Sequence, residues 1–169
     1  MNYEHELYTD LLTLLHDMLS HYHRLLELSQ RERESLTAAS LATLLEITTQ
    51  KETTILELSV MEEGRQLLLR KLAEQLDIPT AELTLRNLSQ LAPEPLADGF
   101  QCCRTDLLGL VQAVSQVNAK NAMLLSSSLN SVRTSLSLIS RLLEPAPIYG
   151  NNGHLDTTGT GGKVLHKQI

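Results

Sequence analysis

The chain has 169 residues, enough for one domain with a substantial core, and a net charge of −6. Leucine dominates its apolar content, aromatics make up 3% and tryptophan is absent, so helix formers abound, strand formers are sparse, and an all-α chain is predicted. Acids interleave with every group of Lys and Arg, which argues against nucleic acid as a partner.

The polar, acidic start Met1–Glu6 is not a secretory signal. No apolar run approaches the ~20 residues of a membrane span. A cytoplasmic protein is the expectation. Cys102 and Cys103 are adjacent. Neighbours on a helix point in different directions, so one packing in a core beside an incidental partner is expected, rather than a disulfide.

In chain order, the first helix is predicted from Glu4 to about Arg33. Leu7, Leu11, Leu14, Met18, Tyr22 and Leu25 recur at threes and fours, one helical stripe, and Leu12, Leu15, Leu19 and Leu26 widen it. Arg31–Ser35 adds nothing to the stripe. A turn there, with Ser35 capping the next helix, is favoured over a solvated helical stretch. A second long helix then runs to about Leu76. Its expected buried face is Leu41, Leu44, Thr48, Ile55, Leu58, Met61, Leu68 and Leu72, with gaps at Lys51 and Arg65. Gly64 marks a bend or a close helix approach. Asp77–Thr80 stops this helix, and a short one comes next at about Ala81–Leu91, anchored by Leu83, Leu88 and Leu91. Ala92–Pro95 is a second break.

The last helix is predicted from about Glu94 to Glu144. Phe100, Cys103, Leu107, Leu110, Val114 and Val117 keep the alternating three–four spacing of a heptad seam. The stripe then advances by fours through Asn121, Leu125 and Leu129, a stutter, and resumes heptad spacing at Val132, Leu136, Ile139 and Leu143. Serines fill the other face of this second half. The first half reads as bundle core and the second as a Ser-rich, Leu-lined half. Pro145–Gly153 closes the helix, and the C-terminal tail has too few apolar residues for a core.

The chemistry-bearing residues form no catalytic pattern. His16, His21 and His23 share a helix, but 16 and 23 lie two turns apart and lack the three or four ligands of a zinc site. Gly159, Gly161 and Gly162 have neither the strand nor the helix of a phosphate loop. No enzyme, metal or cofactor is expected. The architecture expected is an elongated bundle of three long antiparallel helices plus one short helix, spanning 1–147, with a flexible tail at 148–169. Such a bundle leaves apolar groove near its ends, suited to a partner's amphipathic helix.

This layout resembles the FlgN family of flagellar export chaperones. The resemblance is carried by two long Leu-rich helices with Gln50-Lys51-Glu52 in the second, and a short helix at Leu83–Leu91. A final helix carries Asn118-Ala119-Lys120-Asn121 and Leu124-Leu125-Ser126-Ser127-Ser128-Leu129, and after it comes Ile148-Tyr149-Gly150-Asn151-Asn152-Gly153. It implies a cytoplasmic chaperone, without cofactor or reaction, that binds the C-terminal segments of hook–filament junction proteins. Such a chaperone keeps them from premature assembly and delivers them to the flagellar export gate. The implied partner-binding residues are Val117, Asn121, Leu124, Leu125, Leu129, Val132, Leu136, Ile139 and Leu143, with Tyr149 contributing. Two alternatives stay open: a self-associating coiled coil, for instance a homodimer, and an adaptor chaperone of another secretion system.

Overall fold

The computed structural model describes residues 2–143. Every regular element among them is helical: α1 (Asn2–Thr37), α2 (Leu41–Leu76), a single 3-10 turn (Thr80–Glu82), α3 (Leu85–Leu91) and α4 (Leu96–Leu143). The tail predicted at 148–169 lies outside the described residues.

The chain divides into two compact units, one ending at Leu125 and one beginning at Ser126. Within the first, the helix directions are set by which residues meet. Lys51 pairs with Glu32 and His21 with Glu57, so α1 and α2 are antiparallel. Tyr8 meets Phe100 and Ser29 meets Asn118, so α4 runs beside α1 in the same direction. The long helices therefore alternate up, down, up. The 3-10 turn and α3 supply the connection that brings α4 back to the start of α1.

The core tracks the α1 stripe. Leu7, Leu11, Leu15, Met18, Leu19 and Leu25 are buried against Leu58, Leu69 and Leu72 of α2 and Phe100, Cys103, Leu110 and Val114 of α4. Tyr8 and Phe100 meet edge to face, ring centroids 6.1 Å apart, a favoured aromatic geometry. The Tyr8 hydroxyl is buried without a hydrogen-bond partner among the described residues, and desolvation, then the nearby Glu4 carboxylate, raises its pKa. Leu83 and Leu88 plug the end of the core, and Thr84 caps α3 by accepting from the Asn87 N–H.

Four expectations are corrected. Arg31–Ser35 is helix, not turn: Arg and Glu are good helix formers, and α1 continues to Thr37. The reversal comes at Ala38–Ser40, where Ala39 takes φ 52° and the Ser40 N–H reaches back to the Ser35 carbonyl, a Schellman-type ending without glycine. Asp77 ends α2 in the same way, with φ 54° and the Ile78 N–H on the Ala73 carbonyl. On α2, Leu41 and Ile55 are exposed. The inward stripe is Ile47, Lys51, Thr54, Leu58, Met61, Arg65, Leu68 and Leu72, at alternating fours and threes, so the two apparent gaps are stripe members. Leu91 is also exposed rather than an anchor. Finally, of the two readings of Gly64 the close approach fails: a methyl there would meet Leu14 Cδ2 at an ordinary 3.5 Å. The tight approach is at Gly99, where Leu12 Cδ2 stands 2.7 Å from an added Cβ.

Candidate partner-binding face

The apolar stripe of α4 meets a polar cluster at Asn118 and Asn121. Asn121 is 4% exposed, and its Nδ2 donates to the Ser29 carbonyl at 2.8 Å and to Glu32 Oε2 at 2.7 Å. The same Glu32 oxygen accepts from Lys51 Nζ at 2.7 Å. Lys51 Nζ also donates to Asn118 Oδ1 at 3.1 Å, and that oxygen accepts from the Ser29 hydroxyl at 3.0 Å. One residue pair from α1, one lysine from α2 and one pair from α4 thus form a ring of hydrogen bonds, with the buried Asn121 Oδ1 left without a partner among the described residues. Glu32 and Lys51 are both largely withdrawn from solvent, which makes their pairing obligatory: a lone charge there would be costly.

Polar groups at seam positions fix register, because a shifted helix leaves them unpaired. The network therefore pins α4 against α1 and α2 one turn before Leu125. Arg65, the other charged stripe member of α2, is held by Glu62 through two bonds of 2.7 and 2.6 Å. That guanidinium contact lowers the Glu62 pKa despite partial burial.

Beyond Asn121 every described residue, from Ala122 to Leu143, is exposed. Leu125, Leu129, Val132, Leu136, Ile139 and Leu143 succeed one another at fours and threes, with exposures from 44% to 76%, so they line one face of the helix. Leu124, Leu138 and Leu142 add to the exposed apolar surface. The only charges between Ala122 and Leu143 are Arg133 and Arg141. Ser131, Thr134 and Ser135 turn their hydroxyls back to carbonyls one turn earlier, so these three are occupied with their own backbone.

Among the described residues, those expected to contact a partner therefore fall into three groups. Leu124, Leu125, Leu129, Val132, Leu136, Ile139 and Leu143 are exposed on α4. Val117 is half-buried and borders a groove of about 690 Å³ with Gln30, Arg33, Glu34, Thr37 and Ala38. Asn121 is committed to α1. Tyr149 lies outside the described residues. Sequence reading missed Ser29, Glu32, Lys51 and Asn118 as a unit. The signal was there: a lysine and an asparagine at seam positions of different helices need partners.

Of the histidines, His21 places Nδ1 2.9 Å from the Asp17 carbonyl and Nε2 3.4 Å from Glu57. No group of three or more His, Cys, Asp or Glu among the described residues is placed to hold a metal. Cys103 is buried and Cys102 exposed, both as free thiols. No described helix is long and apolar enough to cross a membrane.

Among known protein families, the family model described as FlgN protein aligns with residues 1–157. No curated protein and no solved structure matches the chain.

Proposed function

The chain belongs to the FlgN family of flagellar export chaperones, and from that premise we propose that it binds the C-terminal segments of hook–filament junction proteins through the exposed face of α4. It works in the cytoplasm, keeps its cargo from premature assembly and hands it to the export gate. The observation that carries this reading is the unbroken apolar stripe from Leu125 to Leu143, exposed along its whole length. A stripe at this spacing accepts the apolar face of an amphipathic helix, and large exposed apolar surface marks an interaction site.

The energetics suit a carrier. Burial stabilises by ~25 cal/mol per Å² of apolar surface, or roughly 1.5–3 kcal/mol for a fully buried Leu, Ile or Val. Several such side chains give a gross gain on the order of 10 kcal/mol. Ordering a disordered cargo segment takes back ~2–5 kcal/mol, and association itself costs several more. Moderate, reversible affinity results. Release at the gate needs that.

The test is co-purification of a junction protein with the wild-type chain and with Leu125→Asp/Leu129→Asp/Val132→Asp. All three positions are exposed, so the variant should fold with an unchanged helical circular dichroism signal and lose the cargo. Retained cargo on the folded variant would place binding elsewhere. Failure of the wild-type chain to hold any junction protein, with a stable dimer that covers the stripe, would favour self-association instead.

A further inference from the structure

A second apolar groove lies between α3 and the first half of α4. Leu85 and Arg86 line it from α3, and Arg104, Leu107, Leu108 and Val111 line it from α4. Its volume is about 440 Å³ and its walls are almost wholly apolar. The four α4 residues stand at i, i+3, i+4 and i+7, a face adjoining the one that packs the core. Leu108 and Val111 are 59% and 47% exposed, more than core packing would leave.

Two arginines, Arg86 and Arg104, are among the residues that line this groove. Among the described residues neither Arg86 nor Arg104 forms an ion pair, and the groove has no acidic lining residue. In a chain of net charge −6, a groove lined by two arginines and no acid favours a partner that carries carboxylates. We propose that this groove docks a short amphipathic helix of a protein partner whose apolar face is flanked by carboxylates. Two turns of such a helix, ~10 Å of axis, match the length from Arg104 to Val111. Leucine-sized side chains would fill the floor while Arg86 and Arg104 pair with Glu or Asp on the flank, as forked donors suited to carboxylates. A membrane surface fits less well: polybasic lipid recognition uses clusters of roughly four to eight cations, and this site is concave with two. The site is separate from the α4 stripe and does not depend on what that stripe binds.

The probe is a synthetic 16-residue helical peptide with Leu at i, i+3, i+4 and i+7 and Glu on its flanks, beside a counterpart with Lys for Glu. Binding is read by fluorescence anisotropy on the full chain carrying Leu125→Asp/Leu129→Asp/Val132→Asp, so that the α4 stripe does not contribute. The expected result is binding of the Glu peptide at least tenfold tighter than the Lys peptide. Arg86→Glu/Arg104→Glu should reverse that order, and Val111→Asp should weaken both peptides tenfold or more. Equal binding of the two peptides, no binding of the Glu peptide at millimolar concentration, or indifference to the arginine variant would each overturn the proposal. So would arginine-dependent binding to phosphatidylserine vesicles without binding to the peptide, which would assign the groove to a membrane.

Discussion

At the scale of single residues, the register of the bundle turns on Lys51. It occupies a stripe position of α2 yet reaches across to Glu32 of α1 and Asn118 of α4. Removing it leaves Glu32 largely buried, with Asn121 as its remaining donor. Lys51→Ala should therefore cost about 2–3 kcal/mol, measured by urea denaturation, more than an ordinary surface truncation. Replacing Lys51, Glu32 and Asn118 together by Met, Leu and Leu should recover much of that loss, because the uncompensated charge goes too. If Lys51→Ala were neutral, the network would be decoration rather than a register pin. These residues were the least legible part of the sequence. A lysine in a stripe reads as a gap when only apolar spacing is counted, and nothing local says that its partners lie 19 and 67 positions away. Tyr8 was missed for a related reason: it sits beside the stripe residue Leu7, and only the packing of Phe100 shows why it is buried.

At the scale of elements, helix existence was legible and helix ends were not. The α4 seam from Phe100 to Val114 is buried or half-buried at each of its heptad positions, as its spacing predicts. The α1–α2 reversal was displaced because its left-handed residue is Ala39, where glycine would have announced it. The glycines of α4 separate two effects that the sequence alone cannot. A Cβ at Gly109 meets nothing within 4 Å, whereas one at Gly99 meets Leu12 Cδ2 at 2.7 Å. Gly109→Ala should stabilise the fold by about 0.5–1 kcal/mol through helix propensity, raising the Tm by a few degrees. Gly99→Ala carries the same propensity gain but must displace a half-buried leucine, at a packing cost of roughly 1–3 kcal/mol. Its Tm should be unchanged or lower. A matched rise in both variants would show that the α1–α4 contact is looser than this geometry.

At the scale of the whole molecule, one helix serves two environments. Up to Asn121 the α4 stripe is used by the bundle; from Leu124 on the same kind of stripe is left exposed. The stutter at Asn121 was visible in the sequence, and the structure places Asn121 in the polar network that joins α4 to α1. What the sequence pattern could not separate was core stripe from free stripe, since leucines at fours and threes look alike whether covered or not. Burial makes that distinction, and it is the basis for our proposal that cargo binds the second half. An exposed helical segment is only marginally stable in water, so partner binding should register there first. The most direct measurement is amide hydrogen exchange across Ser126–Leu143, with and without the C-terminal segment of a hook–filament junction protein. Cargo binding on this face predicts fast exchange in the free chain and strong protection of the segment in the complex, with little change at Ile47–Leu72. Protection confined to α1 and α2, with Ser126–Leu143 still exchanging fast, would contradict it.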